Sequence, residues 1–286
     1  EGGYTSFASA DYVQKAHDRG LEVWALIENI EYKDSISMYE ILSSTTTRQK
    51  LIDSLMNDLI TYGIDGINVD FEALSKDAGE GYIQFIRELS LKCENNGIVL
   101  SVDNYVPMEY NLFYDRKEQA NFADYVIIMG YDEHYAGSDE GSVASIGFVN
   151  QGIEDTLKEV PAEQVILAAP LYTRVWALTP KDAGEDVEAA SEDYVPYELS
   201  SQAVGMQEAW NMVSANGVEP TWSDEDGQYY AEYVNDGVTY KIWLEDTRSL
   251  ELKLQAATDN GLAGVAFWKL GFDDASLWDT AIKYLN

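Results

Sequence analysis

The chain has 286 residues, 46% of them hydrophobic, with 51 acidic against 18 basic side chains and a formal charge of −33. That balance argues against nucleic acid and anionic membrane surfaces, which need cationic patches, and no apolar run is long enough for a transmembrane helix. The single cysteine, Cys93, excludes an internal disulfide and a cysteine-rich zinc site.

Helical and strand signals alternate along the chain. A short amphipathic helix over 11–19 ends at Gly20 and leads into an apolar strand over 21–27. Leu51, Ile52, Leu55, Leu59 and Ile60 recur at helical spacing in a helix over 45–62, with N-caps on offer from Thr45 to Thr47. A strand over 64–72 follows, then a helix over 79–95 stopped at Asn96-Gly97, and strands over 98–103 and 125–131. A helix over 150–159 and a strand over 164–171 complete this series. Residues 177–247 break the rhythm. They are acidic at 182–193, where the run Glu185–Glu192 reads as a solvated loop, and then carry alternating aromatic segments on either side of Asn235-Asp236-Gly237, a hairpin signal. A helix over 248–259, a strand over 262–268 and a helix over 275–285 close the chain. Six strands separated by helices predict an α/β protein with a parallel sheet, residues 1–176 and 248–286, carrying a small α+β insertion at 177–247.

The most informative segment is Asp65-Gly-Ile-Asn-Val-Asp-Phe-Glu72. Side chains alternate faces on a strand, so Asn68, Asp70 and Glu72 point one way and Ile67, Val69 and Phe71 the other. Charged groups are seldom buried unless paired. A solvated sheet face or a hydrogen-bonded core network would explain such a row. A catalytic acid, Glu72, at the C-terminal end of the strand, with Asp70 as its modulator, explains it better.

These residues resemble the family 18 glycoside hydrolases, whose hallmark is an Asp-x-x-Asp-x-Asp-x-Glu strand, the fourth of a (β/α)8 barrel. Asp65, Asn68, Asp70 and Glu72 occupy its positions. Met129-Gly130-Tyr131-Asp132 is similar to the sixth-strand segment and Ala169 to Arg174 to the seventh. Gly264 to Trp268 resembles the eighth, whose Trp floors the sugar site. The bacterial branch that includes spore-cortex-lytic N-acetylglucosaminidases is the nearest in pattern, with Asn at the position of Asn68 and a segment like Tyr131 to Gly137. The resemblance implies a TIM barrel with its insertion between strands seven and eight. Only one strand precedes 64–72, so barrel strands one and two are expected upstream of this chain.

Asp70 and Glu72 lie two positions apart on one strand, about 6.6 Å between Cα atoms. They cannot flank opposite faces of one sugar ring, as the usual pair of glycosidase carboxylates does. Family 18 is a known exception, in which the substrate's acetamido oxygen is the nucleophile. The resemblance therefore implies Glu72 as acid and base, Asp70 as acceptor of the acetamido N–H, and Tyr131 as donor to the acetamido oxygen. Substrate contacts are expected from Asn68, Met129, Asp132, His134, Tyr172, Arg174 and Trp268. Asn68 cannot ionise, so Asp70 is expected to lack a carboxylate neighbour that raises its pKa. His17 reads as a surface residue and Cys93 as packing.

The expected activity is retaining hydrolysis of β-1,4 bonds in peptidoglycan or chitin, without metal or cofactor, by an extracytoplasmic monomer. The other readings are a non-catalytic chitinase-like sugar-binding protein, and a metal-dependent enzyme with Asp65, Asp70 and Glu72 as ligands.

Overall fold

The computed structural model describes residues 3–30, 36–181 and 197–284; the acidic run Glu185–Glu192 lies outside them. The chain divides into two compact units, Glu1–Met129 with Glu154–Ile166, and Gly130–Ile153 with Leu167–Asn286.

The first unit runs through α1 (Ala10–His17), β1 (Trp24–Glu28), α2 (Met38–Ser43), α3 (Thr45–Tyr62), β2 (Gly66–Asp70), α4 (Gly79–Asn96), β3 (Val99–Tyr105), α5 (Arg116–Gln119) and β4 (Tyr125–Met129). Strands β1 to β4 are parallel neighbours in chain order. After α6 (Ile146–Leu157), β5 (Val165–Pro170) follows β4 in the sheet order. Ile67, Val69 and Phe71 are all at most 3% exposed and pack with Leu51, Leu55 and Leu59 of α3 and Phe85, Ile86 and Leu89 of α4. The apolar half of the alternation in β2 thus forms the sheet-to-helix core. Gly66 is required here, because a Cβ would come within 2.6 Å of the Trp24 ring.

Several strands start later than the apolar runs suggest, for one reason. Gly20, Gly63, Gly97 and Gly261 each adopt a positive φ just after a helix. The next residue then returns its N–H to the helix: Leu21 to Ala16, Ile64 to Leu59, Ile98 to Cys93 and Leu262 to Ala257, at 2.9 to 3.1 Å. This is the Schellman C-cap, which consumes the first apolar residue after the glycine. Caps also moved at one N-terminus: Ser44, not a threonine, accepts from the Thr47 N–H and starts α3.

In the second unit β5 continues and neighbours β11 (Gly264–Trp268), with the Leu171 N–H donating to the Trp268 carbonyl at 2.7 Å. Between them in sequence come β6 (Tyr172–Pro180), β7 (Tyr197–Gly205), α7 (Met206–Ala215), β8 (Thr221–Ser223), β9 (Gln228–Asn235), β10 (Val238–Leu244) and α8 (Thr247–Asp259); α9 (Ser276–Ala281) follows β11. The inserted sheet has the order β7-β6-β10-β9-β8 and is antiparallel. Asn235 pairs with Val238, so the β9–β10 turn is the two-residue Asp236-Gly237 loop, with φ of 48° and 79°. The Asn-Asp-Gly signal is realised as a tight hairpin.

Candidate active site

In the first unit the polar half of β2 faces polar partners on both neighbouring strands. Register pairs Glu28 with Asp70 across β1–β2, and Asn68 with Ser101 across β2–β3. One rung on, at a strand spacing of about 4.8 Å, the same register sets Asp70 beside Asp103. Asn68 is 8% exposed, and its Nδ2 donates to Ser101 Oγ at 2.9 Å and Asp103 Oδ1 at 3.0 Å. Asn68 Oδ1 and Asp70 Oδ1 are buried with no hydrogen-bond partner among the described residues. Burial, then the negative charges of Asp103, Glu72 and Glu28, push the Asp70 carboxyl up to about 8. The expectation that Asp70 lacks a carboxylate neighbour is therefore wrong. Residue 68 is neutral, but Asp103 on the next strand supplies the charge. Asp103 is itself pushed up to about 7, by burial and Glu72, against the Asn68 hydrogen bond.

Glu72 sits just past the end of β2, in a turn held by three side chains. The Asn29 amide is 3% exposed and clamps the Glu72 backbone from both sides: Oδ1 accepts from the Glu72 N–H at 2.7 Å and Nδ2 donates to the Glu72 carbonyl at 2.9 Å. The Ala73 N–H donates to Tyr105 Oη at 3.1 Å. Tyr114 Oη donates to the Phe71 carbonyl at 3.0 Å and accepts from the Leu74 N–H at 3.2 Å. Ala73 is held at φ 50°, a left-handed conformation that a non-glycine residue adopts only when its surroundings impose it. Tyr105 also hydrogen-bonds the Glu72 carboxylate, and burial together with that charge pushes its phenol pKa far up.

Asp65, the first acid of the motif, marks the start of β2. Its Oδ2 accepts from the Val23 N–H at 2.7 Å and lies 2.8 Å from His17 Nε2. Burial opposes, yet these contacts hold its carboxyl below the usual range. His17 is exposed, as expected of a surface residue, and also partners Asp65. Asp65 acts by joining α1 and β1 to the start of β2. Among the described residues there is no group of three or more His, Cys, Asp or Glu side chains placed to hold a metal ion. An apolar cavity of about 520 Å³ lies on the opposite side of β2, lined by Ile67 and Phe71 with Tyr4, Phe7, Leu26 and Leu55. Met129, 7% exposed, ends β4 and pairs with Tyr105.

In the second unit Tyr131 and Asp132 begin the loop after β4. Asp132 has φ 57° and its Oδ1 accepts from Tyr172 Oη at 2.6 Å. The Tyr131 and Tyr172 rings meet edge to face, 6.1 Å between centroids. The loop then doubles back: Glu133 and His134 N–H groups donate to the Val143 and Ser142 carbonyls. His134 Nδ1 lies 3.0 Å from the Asp139 carbonyl oxygen, and a Cβ on Gly141 would come within 2.3 Å of the His134 ring. Tyr172 and Trp176 are buried, at 6% and 1%, with Trp176 Nε1 donating to the Gly141 carbonyl at 2.8 Å. Arg174 donates to Ser201 Oγ at 3.0 Å, while its buried Nε has no partner among the described residues. Trp268 ends β11 and is 44% exposed.

Asn29, Asp103, Tyr105 and Tyr114 were missed in the sequence. A signal existed for two of them. Ser101, Asp103 and Tyr105 alternate along β3 as Asn68, Asp70 and Glu72 do along β2 and just beyond it.

Acidic residues at the C-terminal ends of parallel strands linked by helices stand where β/α-barrel enzymes place their active sites. The chain belongs to the glycosyl hydrolases family 18, whose sequence profile matches residues 2–273. It is 27% identical over 238 residues to the putative sporulation-specific glycosylase YdhD of Bacillus subtilis (strain 168), covering 82% of this chain and 53% of that protein. Its structure resembles the spore cortex-lytic enzyme SleL of Bacillus megaterium QM B1551, with a TM-score of 0.84, 21% identity, and coverage of 100% of this chain and 64% of that one. A chitinase from Chromobacterium violaceum ATCC 12472 is similar at a TM-score of 0.84 and 22% identity, covering 99% of this chain and 86% of that chain. The chain thus spans about half the length of YdhD. The fold is the family's TIM barrel, represented here by a six-stranded sheet with an antiparallel sheet inserted between its last two strands.

Proposed function

We propose that this chain is a retaining glycosidase cleaving β-1,4 bonds of N-acetylglucosamine-containing glycans by substrate-assisted catalysis. The observation that carries this is the held turn at Glu72. Five hydrogen bonds from Asn29, Tyr105 and Tyr114 fix the backbone of residues 71–74, so that one carboxyl is presented in a set orientation. Such pre-organisation is what proton transfer at a fixed position needs.

Glu72 protonates the leaving oxygen and later takes a proton from the attacking water. The substrate's acetamido oxygen forms and breaks the bond to the anomeric carbon. Asp70, as a carboxylate, accepts the acetamido N–H and stabilises the cationic intermediate. Tyr131 donates to the acetamido oxygen and Trp268 offers an apolar face to the ring. Asn68, Met129, Asp132, His134, Tyr172 and Arg174 complete the substrate contacts. In this scheme Asp132 and Tyr172 act as a pair through their hydrogen bond. The likeness to a spore cortex-lytic enzyme and to a chitinase favours peptidoglycan or chitin as the glycan. An extracytoplasmic place of action follows from such a substrate, and a monomer suffices for it.

A non-catalytic sugar-binding role is the second reading; the presence of Glu72, Asp70 and Tyr131 together disfavours it. Digestion of purified peptidoglycan and of chitin oligomers, followed by product masses, tests the proposal. Cleavage at N-acetylglucosamine is expected and should survive a chelator. Binding of both glycans without cleavage would establish the second reading instead.

A further inference from the structure

Lys269 directly follows Trp268 and has no part in the scheme above. Its Nζ lies 6.0 Å from the centroid of the Trp268 ring and 5.0 Å from that of Phe272, within reach of a cation–π contact. Phe272 in turn meets the Tyr172 ring, 6.4 Å between centroids, and Tyr172 meets Tyr131 at 6.1 Å. Leu171, next to Tyr172, donates its N–H to the Trp268 carbonyl, which joins the two segments here. Lys269 thus shares a rim with the aromatic residues assigned to the sugar. Its contacts among the described residues are with rings and not with carboxylates. Lys241 and Lys253, also in the second unit, each sit on a glutamate, at 2.8 and 2.9 Å. The acids nearest to Lys269 in sequence are turned to other donors. Asp273 accepts from the Gly271 N–H and Trp278 Nε1, and Asp274 from the Ser276 hydroxyl and N–H. Those bonds hold both carboxyls below the usual range. A chain with 51 acids and 18 bases therefore leaves this ammonium unneutralised beside the sugar floor. Aromatic faces hold a cation without cancelling its charge, so it stays available to an anion.

We propose that Lys269 is a specificity-determining residue that reads a carboxylate on the glycan, the lactyl group of N-acetylmuramic acid, and so selects peptidoglycan strands over chitin. This rests on the glycosidase reading above and narrows its substrate class. In an alternating strand, the sugar beside the N-acetylglucosamine on Trp268 is N-acetylmuramic acid. Its 3-O-lactyl group ends in a carboxylate wherever no stem peptide is attached. Every sugar of chitin is neutral, and a bare ammonium has nothing to recognise there. The net charge of −33 opposes an anionic glycan. Screening limits that repulsion to about 8 Å at physiological salt, so a carboxylate docked beside Lys269 answers to the local cation.

The test compares two glycans: peptidoglycan strands freed of stem peptides, and the same strands with their lactyl carboxyls converted to primary amides. Affinity is measured by calorimetry and kcat/KM by product release, both on the whole chain. The unaltered protein should favour the carboxylate strands, by less at high salt. Lys269→Met keeps an apolar stem against Trp268 and Phe272 but removes the charge. It should lower the carboxylate-to-amide ratio by about fivefold in both measurements, the upper range for an exposed ion pair. Lys269→Arg should keep the preference. An equal loss on both strands in Lys269→Met would mark a packing role and overturn the proposal, as would a ratio unchanged by the substitution. If Lys269→Met fails to fold, the salt dependence of the ratio in the unaltered protein decides, and a ratio indifferent to salt overturns the proposal. The calorimetric ratio does not depend on cleavage. A chain that prefers the carboxylate strands without cutting them would sink the glycosidase reading alone, and one that cuts both strands equally would sink the role of Lys269 alone.

Discussion

Glu245, at the end of β10, is wholly buried, with Lys253 Nζ at 2.9 and 3.1 Å from its two oxygens, Gln228 Nε2 at 2.6 Å and Ser249 Oγ at 2.6 Å. Around Asp70 the neighbouring charges of Asp103, Glu72 and Glu28 are all acidic, and Asp70 Oδ1 has no hydrogen-bond partner among the described residues. The same residue class is buried in both places. In the insertion both carboxylate oxygens are met by donors, which suits a group whose task is to hold β9, β10 and α8 together. Gln228 also accepts from Ser142 Oγ, and Ser142 Oγ accepts from the Ala144 N–H, so the network fixes the loop that carries Tyr131 and Asp132. In the acidic site burial and like charges act together on Asp70, which is destabilising to its charged form and moves its titration toward neutral pH. Such perturbation is expected of acids that act on a substrate.

Substitutions should separate these two roles. The largest effect is expected at Glu72: Glu72→Gln should lower kcat by at least about 10²–10⁴-fold, the usual contribution of general acid catalysis, with a melting temperature close to that of the unaltered chain. Asp70→Asn should also be severe for kcat, because it removes the charge facing the cationic intermediate, and should leave stability equal or higher. A kcat loss without a stability loss distinguishes both from Lys253→Met. That change strands a buried carboxylate and should cost about 3–5 kcal/mol in denaturant unfolding, with Glu245→Gln/Lys253→Met costing less than Lys253→Met alone.

Stability against pH gives a smaller effect with a defined sign. Asp70 and Asp103 have folded-state pKa values of about 8 and about 7, above the ordinary carboxylate value near 4. The folded state therefore holds more protons than the unfolded state between those limits. Their contribution is fully present below the ordinary value and is lost as pH rises through 7 and 8. The melting temperature should fall from pH 5 to pH 8.5, and by less in Asp70→Asn/Asp103→Asn. An equal fall in both would assign the dependence to other groups. The smallest effect is expected at the partly exposed His17–Asp65 pair, where His17→Ala should cost under about 1 kcal/mol and leave kcat unchanged.

Elements and motifs were legible where periodicity carries them. Helix α3 occupies the residues its apolar spacing indicates, and Ile67, Val69 and Phe71 face the core as alternation requires. The hidden parts are those made between strands. Asp103 is 33 residues from Asp70 in sequence, and only the β2–β3 register makes them neighbours. Asn29 closes on Glu72 across 43 residues by a reciprocal amide clamp that no local pattern encodes. The Glu245–Lys253 pair was likewise invisible, because a charge in the link after β10 and another within the amphipathic α8 look like solvated surface.

Proton NMR of the first-formed product anomer, during cleavage of a 2-acetamido β-glycoside, tests the central claim most directly. Attack by the acetamido oxygen followed by attack of water inverts the same carbon twice, so a β anomer should appear first. A first-formed α anomer would mean direct displacement by water and would contradict substrate-assisted catalysis at Glu72.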